Sequence, residues 1–357
     1  MTSTINKKWW NNLNQQWKEL LLFNIEFNEG LSDELVLHNY LPKEENYRRV
    51  YNKTYKLITN YDVGDILLKI EKLTAVFIER DFNEDLTPIK NLTKLTTLKL
   101  VRNSQELIPI KNLTQLTELN LEANEQDLSP IKNLTKLTEL DLGGNSQNLI
   151  PIKNLTNLTE LDLRGNSQNL TPIKNLINLT TLNLNYNTQD LAPVKNLTNL
   201  TKLYLRENTQ DFTLIKNLTN LTILSLSPNT QNLTPIKYLT NLTKLHLHKN
   251  TQDLIPIKGL TNLTTLHLWR NKQDLTPIKN LTHLTHLILY DTKQDLTPIK
   301  SLTNLTYLHL YFCRQDLTPI KNLTNLTYLN LRHTMQDLTP FKNLFDRIVE
   351  RGGRIYF

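Results

Sequence analysis

A repeat of 21 residues constrains this chain more than any other feature of its sequence. A proline returns every 21 positions from Pro88 to Pro340, mostly as Pro-Ile-Lys, and only Leu214 interrupts the thirteen copies. Counted from the leading leucine, the first unit spans 73–94 with one extra residue, and twelve units without insertions fill 95–346. Because each unit of a repeat array packs only on its neighbours, a chain of 357 residues needs no single globular core.

Each unit contains the signals of one strand and one short return segment. The unit at 158–178 reads LTELDLRGNSQNLTPIKNLIN, with the skeleton L-x-x-L-x-L-x-x-N followed by L-x-P-I-K-N-L. The L-x-L part alternates with period two and predicts a strand with one buried face. The proline excludes a central strand from the return segment, where the leucine and isoleucine spacing favours a 3₁₀ turn. The asparagine after each strand, replaced by Thr292, Cys313 and Thr334 near the end, can bond the backbone of adjacent turns.

This pattern resembles the leucine-rich-repeat family, and most closely the bacterial internalin-type repeat with its rhythm L-x-x-N…D-L-x-P-L-x-N-L-T-N-L. The resemblance covers residues 73–346. It implies an α/β solenoid, a horseshoe with a parallel β-sheet on its concave face and short 3₁₀ or irregular return segments. The units are one residue shorter than the usual internalin unit. Gln105, Gln126, Gln147 and their equivalents stand near a position where that family has a buried aliphatic residue.

The residues before the repeats predict a mostly helical N-terminal cap over 1–72, which would cover the open end of the solenoid. A second short helix is predicted at 31–41. The alternative reading is that Trp9, Trp10 and Trp17 dock a partner. An apolar stripe on one helical face favours core packing over docking. The side chains expected on that face are Trp10, Leu13, Trp17, Leu20 and Leu21.

The residues after the repeats predict a C-terminal cap. A helical pattern at 345–351, a Gly352-Gly353 turn and a final strand at 354–357 follow one another. We therefore divide the chain into a helical cap at 1–72, thirteen leucine-rich repeats at 73–346 and a C-terminal cap at 347–357.

The sequence favours a cytoplasmic protein, and we expect a monomer without a cofactor; the internalin resemblance implies a bacterial one. Cys313 is the single cysteine, so the chain can form no internal disulfide framework. The first thirty residues contain no apolar run of signal-peptide length, and no stretch approaches a membrane helix. Export by a route that leaves the N-terminus intact stays open.

The net charge of +7 comes from one repeated position. Every unit carries a lysine on the return side, and subtracting these thirteen lysines from +7 leaves −6. We call this set the lysine ladder, and an acid or amide five residues earlier could partly pair with it. The ladder predicts a solvated ridge, with contact to anionic surfaces such as nucleic acid as the alternative. Its members are Lys90, Lys111, Lys132, Lys153, Lys174, Lys195, Lys216, Lys237, Lys258, Lys279, Lys300, Lys321 and Lys342.

Function is expected where the repeats differ, at the third, fifth, seventh and eighth residues of each unit, which face away from the core. Neighbouring strands place equivalent residues about 4.8 Å apart. In the N-terminal half these columns are acidic, and like charges opposite one another destabilise a sheet. A basic partner or a bound cation would offset that cost, and a solvent-screened face is the alternative. The acidic residues are Glu118, Glu122, Glu139, Asp141, Glu160 and Asp162.

In the C-terminal half the same columns are rich in aromatic residues, arginine and histidine. Seven of the eight histidines lie between positions 246 and 333. Exposed Tyr, Trp and Arg dominate interface hot spots, and a contiguous exposed aromatic patch usually marks a binding site. The predicted partner-binding residues are His246, His248, His267, Trp269, Arg270, His286, Tyr290, Tyr307, His309, Tyr311, Phe312, Tyr328, Arg332 and His333.

His246, His248 and His267 are close enough in register to suggest two further hypotheses. Three imidazoles suit zinc, although flat sheet positions splay side chains and no carboxylate partner is evident. Histidines that titrate near neutral pH would make binding sensitive to pH.

The sequence therefore predicts a protein-interaction module rather than an enzyme. It lacks a glycine-rich phosphate loop and the motifs H-E-x-x-H, G-x-S-x-G and C-x-x-C, and Cys313 takes a structural position. The alternatives are a metal-dependent or histidine–carboxylate enzyme on the concave face and a nucleic-acid scaffold that uses the lysine ladder. Internalins that are secreted and wall-anchored bind host receptors, a role that we do not carry over, because no signal peptide or anchor pattern is present.

Overall fold

The computed structural model describes residues 5–28, 63–78, 82, 84–208, 210–227, 231–291, 293–334 and 336–357. The helix predicted at 31–41 lies outside these residues. The chain divides into two compact units, 1–162 and 163–357. The predicted division into cap, repeats and cap stays a prediction.

In the first unit, three α-helices precede a parallel sheet. The helices are α1 (Lys7–Asn11), α2 (Gln15–Asn28) and α3 (Val63–Ile70). The strands are β1 (Ala75–Ile78), β2 (Thr97–Leu100), β3 (Glu118–Asn120), β4 (Glu139–Asp141) and β5 (Glu160–Asp162), paired in that order. The 3₁₀ return segments are Thr87–Asn91, Ile108–Ile110, Ser129–Asn133 and Ile150–Asn154.

The second unit continues the same alternation. Its strands are β6 (Thr181–Asn183), β7 (Lys202–Arg206), β8 (Ile223–Ser227), β9 (Lys244–His248), β10 (Thr265–Trp269), β11 (His286–Tyr290), β12 (Tyr307–Tyr311), β13 (Tyr328–Asn330) and β14 (Arg354–Tyr356). Its 3₁₀ segments are Thr171–Asn175, Ala192–Asn196, Phe212–Ile215, Thr234–Tyr238, Ile255–Ile257, Thr276–Asn280, Thr297–Ser301, Thr318–Asn322 and Thr339–Phe341, and its α-helix is α4 (Lys342–Glu350).

Neighbouring strands pair in register one repeat apart, so that Leu266 lies beside Leu287 and Leu245. The extra residue of the first repeat shifts the pairing of β1 with β2 by one position, since Ala75 pairs with Thr97. Within each repeat, the leucines of the strand and the leucine and isoleucine of the return segment are buried and form the core. The predicted leucine-rich-repeat fold, with parallel strands and 3₁₀ return segments, is confirmed.

Hydrogen bonds between successive turns hold the stack together. The threonine before each strand donates its hydroxyl to the carbonyl of the equivalent threonine one turn earlier, as from Thr264 to Thr243 at 3.1 Å. Several of the buried asparagines that follow the strands bond neighbouring turns, as from Asn208 Nδ2 to the Asn187 carbonyl at 2.8 Å. The repeated glutamine is half-buried, and Gln273 Nε2 donates to the Thr251 carbonyl at 2.9 Å. The glutamine thus bridges turns where the related family places an aliphatic residue.

Removing one hydroxyl from the threonine row should cost measurable stability. We expect Thr264→Val to lower the free energy of unfolding by about 1 kcal/mol, because valine keeps the shape but leaves the Thr243 carbonyl without that donor. Urea denaturation measures the change. The matched control is Thr265→Val at the next residue, which is also half-buried. Equal losses for the two variants would contradict the role assigned to the row.

The N-terminal helices cover the edge of β1. Trp10 and Trp17 are 7% and 2% exposed, and Trp17 Nε1 donates to the Asp85 carbonyl at 2.9 Å. The buried Asn24 accepts from the Phe77 backbone N–H at 2.9 Å, and so pairs with the open strand edge. The predicted single helical face is split between two helices, because Asn14 accepts from the Trp17 N–H at 3.0 Å and starts α2. Trp10 and Trp17 therefore pack in the core, and Leu20 is half-buried.

The C-terminal end of the second unit is covered by α4 and β14. The helix begins at Lys342, three residues earlier than the pattern predicted, because the 3₁₀ segment that ends at Phe341 runs directly into it. Leu344 and Ile348 are buried, and β14 pairs with β13 as the last strand. A side chain at Gly353 would collide with the carbonyls of Thr327 and Ile348, so the turn requires glycine.

Candidate functional site

The second unit brings the predicted partner-binding residues onto one face of its sheet. Strands β9 to β12 place nine of them at exposed or half-buried positions, and β13 adds Tyr328. Arg270, Phe312, Arg332 and His333 lie in the turns that directly follow β10, β12 and β13. We call this set of fourteen predicted residues the aromatic face.

Alternation along each strand creates three rows of rings. In the outermost row His248, Trp269, Tyr290 and Tyr311 contact one another with ring centroids 4.8–5.2 Å apart. In the middle row His246 and His267 stack at 4.1 Å with their planes 2° apart. In the third row the contacts run from His286 through Tyr307 to Tyr328, at 5.4 and 4.0 Å. Tyr328 also contacts Tyr356 at 5.3 Å, across to the middle row, where Tyr356 pairs with Asn330.

The turn residues extend the outermost row. Arg270, Phe312 and His333 have positive φ angles of 51°, 55° and 60°, in the left-handed region where the chain leaves each strand. Phe312 contacts Tyr311 edge-on at 4.6 Å and stacks on His333 at 4.7 Å. Trp269 and Phe312 remain 42% and 41% exposed, so the row combines ring packing with open apolar surface.

Burial changes the acid–base chemistry of the histidines. Desolvation, with the nearby cationic groups Lys244 and Arg206, lowers the pKa of His246 to about 4. The same cause lowers the pKa of His248 and His267 to about 4, and that of His309 also falls. These histidines are therefore neutral at pH 7, and the expectation that His246, His248 and His267 titrate near neutral pH is wrong.

Two buried nitrogen atoms on this face lack hydrogen-bond partners. They are His309 Nε2 and Arg206 Nε. Buried polar atoms are normally bonded, so each unsatisfied one calls for an explanation. Among the residues that the structure describes, no group of three histidine, cysteine or carboxylate side chains is arranged to hold a metal ion.

The predicted acidic residues lie together in the first unit. Glu118, Glu139 and Glu160 are direct neighbours on β3, β4 and β5, and Asp141 lies beside Asp162. Desolvation and then the carboxylates on either side raise the pKa of Glu139. Glu122 is half-buried, and its N–H donates to Asn120 Oδ1 at 2.8 Å.

Polar neighbours partly offset this repulsion. Lys99 Nζ lies 2.9 Å from Glu118 Oε1, and Asn120 Nδ2 donates to Asp141 Oδ2 at 3.1 Å. The sheet therefore carries its own compensation for part of the negative charge.

The lysine ladder lies on the return side and is exposed, apart from the half-buried Lys321. The aspartates five residues before these lysines accept hydrogen bonds from the residue two positions later, as the N–H and the hydroxyl of Thr276 each donate to Asp274 Oδ1 at 2.9 Å. Hydrogen bonds from Thr318 lower the pKa of Asp316, and Lys321 adds a smaller attraction. Cys313 is buried and burial raises its thiol pKa, as expected for a structural position.

Sequence reasoning missed three side chains that complete the face. Tyr356 on β14 pairs with Asn330 and so extends the middle row, and Arg332 lies over its ring at 5.2 Å. The last strand was predicted, but its side chains were not assigned to the columns because it lies outside the repeat. Ser225 and Ser227 on β8 are 3% and 5% exposed, because larger side chains on both neighbouring strands cover these short ones.

Comparison with known proteins places the fold among leucine-rich-repeat structures. An internalin, InlF, from Listeria monocytogenes is 27% identical, with 81% of this chain and 90% of that chain covered and a TM-score of 0.67. A leucine-rich-repeat protein of Leptospira interrogans, LIC12759, is 20% identical, with 83% and 98% covered and a TM-score of 0.56. Mouse RP105, solved in complex with MD-1, is 22% identical, with 76% and 53% covered and a TM-score of 0.62. No family model and no curated protein sequence matches the chain.

Within the described residues, no helix has both the length and the apolar character needed to cross a membrane.

Proposed function

We propose that this internalin-like leucine-rich-repeat protein binds another protein through the aromatic face of its second unit. The observation that carries the proposal is the continuous contact of rings from His248 through Trp269 and Tyr290 to Tyr311. Large rings held in place by their neighbours lose little conformational entropy on binding and bury much area, which is what interface hot spots require. The exposed side of Trp269 is available for such a contact.

The fold of the neighbours supports this proposal. The RP105 structure contains a bound protein, MD-1. Leucine-rich-repeat proteins can thus present a partner-binding surface on a repeated scaffold. We extend to this chain only the general role of protein binding, on the concave side of the sheet. The expected monomer, the absence of a small-molecule substrate and the cytoplasmic location remain part of the proposal.

A catalytic role fits the described residues less well. A histidine base is normally oriented by a carboxylate. The third, fifth and seventh positions of the repeats that contain β7 to β13 carry no carboxylate, whereas β3, β4 and β5 in the first unit carry several. We therefore propose that the protein is not an enzyme and that the histidines serve as neutral contact groups.

The proposal is tested by affinity capture with the wild-type protein and with the double variant Trp269→Ala/Tyr311→Ala. We expect the double variant to lose the specific partner, because it removes two rings of the same row. The control is Lys258→Gln/Lys279→Gln on the return side, which should retain it. Equal recovery of the same proteins by the double variant would count against the proposal.

A further inference from the structure

The exposed strand positions of the second unit carry charge of one sign. From β7 to β14, and in the seventh positions of these repeats, the charged side chains are all cationic among the described residues. The eighth positions, in the turns that follow the strands, carry both signs, with Glu207 and Asp291 acidic and Lys249 and Arg270 basic. The cations are Lys202, Arg206, Lys244, Arg332 and Arg354.

The orientation of the rings adds to the positive character of this surface. In the stacked pairs, whose ring centroids lie 4.0–5.4 Å apart, each ring covers much of the π face that its neighbour turns toward it. Such packing leaves ring edges for an incoming ligand, and the edge of an aromatic ring is the positive end of its quadrupole. The polar hydrogens of tyrosine, tryptophan and neutral histidine also lie at the ring edge.

One of the two unsatisfied nitrogens belongs to a cationic side chain of this surface. Arg206 Nε can only donate a hydrogen bond, and it has no acceptor in the structure. It is half-buried at the end of β7, and the short Ser227 separates it from His248 in the same row. The half-buried guanidinium adds a positive charge to this end of the outermost row.

From these observations we infer that the aromatic face recognises a carboxylate-rich segment of its protein partner, bound across the strands β7 to β13. Arg206, Lys244 and Arg332 contact the carboxylates, and the ring edges contact carboxylate and backbone oxygen atoms. This inference rests on the proposed function and specifies the chemistry of the partner.

Nucleic acid, the other polyanion, matches the face less well. Sequence-tolerant binding of single strands depends on bases that stack on open aromatic faces. Here Tyr307 and Tyr328 already stack at 4.0 Å and His246 and His267 at 4.1 Å, so no base fits between them. The largest regular set of cations, the lysine ladder, lies on the return side rather than beside these rings.

The test measures fluorescence anisotropy with three probes on the full chain. The probes are a labelled peptide of alternating glutamate and glycine, its lysine counterpart, and a single-stranded DNA oligonucleotide of the same charge as the glutamate peptide. We expect the glutamate peptide to bind in a salt-sensitive manner and the lysine peptide not to bind. Lys244→Gln/Arg332→Gln should weaken the affinity for the glutamate peptide about tenfold, since two charge-assisted contacts are lost.

The matched control is Lys258→Gln/Lys279→Gln, which removes the same charge from exposed positions on the return side. It should bind the glutamate peptide like the wild type. Three results would overturn the inference: equal weakening by the control pair, tighter binding of the oligonucleotide than of the peptide, or no preference for glutamate over lysine. A dimer in sedimentation that Lys244→Gln/Arg332→Gln dissociates would also overturn it, because a second copy would then occupy the face.

The same variants separate this inference from the proposed function. If capture of the partner is lost in Trp269→Ala/Tyr311→Ala but unchanged in Lys244→Gln/Arg332→Gln, the binding face is correct and the acidic partner is wrong. If capture survives in Trp269→Ala/Tyr311→Ala, the proposed function itself fails.

Discussion

Trp269→Ala is expected to weaken binding of the captured partner about 100-fold, equivalent to ~3 kcal/mol. Trp269 lies in the middle of the outermost row, between His248 at 5.2 Å and Tyr290 at 4.9 Å. Its removal deletes a large contact surface and also the lateral support of both neighbours. Titration of the purified partner by calorimetry or biolayer interferometry measures the change.

The matched control for this prediction is Ile255→Ala. Ile255 is 62% exposed, more than the 42% of Trp269, but lies on a 3₁₀ return segment rather than on the strand face. Its truncation should leave the affinity within about twofold, since exposed residues outside an interface contribute little. Comparable losses for the two variants would mean that exposure, rather than position on the strand face, determines binding. Unchanged urea denaturation of Trp269→Ala confirms that the fold is intact.

Acid is expected to destabilise the protein by roughly 3 kcal/mol between pH 7 and pH 4 through His246, His248 and His267 alone. Desolvation lowers their pKa values from 6.5 in the unfolded chain to about 4, so the unfolded state binds more protons in this interval. Stability is therefore fully present above pH 6.5 and falls as the pH approaches 4. One pKa unit corresponds to ~1.4 kcal/mol, so the three lowered values would together amount to about 10 kcal/mol; we take roughly a third of this sum, because the three side chains keep partial solvent access.

The measurement compares urea denaturation at several pH values for the wild type and for His246→Gln/His248→Gln/His267→Gln. Carboxylates titrate in both proteins, so the difference between the two curves isolates the histidines. The variant should have the flatter profile from pH 6.5 to pH 4, because it lacks the titrating groups. Parallel profiles would show that these histidines are protonated in the folded protein as easily as in the unfolded one.

The repeat predicted much of this fold because its period fixes the register. Once the spacing of 21 residues is known, Leu266 must lie beside Leu287, and Trp269 beside Tyr290. The rows of the aromatic face therefore follow from a count along the chain. The end of the array is different, because Tyr356 reaches the ring of Tyr328 from β14, which has no repeat spacing to reveal its register.

Local capping and burial could not be predicted from spacing. The break between α1 and α2 depends on the Asn14 side chain, which bonds the Trp17 N–H and competes with a continuous helix. The low pKa of His246 depends on desolvation by side chains from several turns and on Lys244 and Arg206 nearby. The half-buried glutamines likewise gain their role only from carbonyls one turn away, as in Gln273 and Thr251.

Hydroxyl-radical footprinting of the free protein and of its complex tests most directly whether the strand face of the second unit is the binding surface. Trp269 and Phe312, 42% and 41% exposed, should lose reactivity in the complex. Tyr238, 51% exposed on a return segment, should react equally in both samples. Protection of Tyr238 with unchanged reactivity of Trp269 and Phe312 would contradict the account.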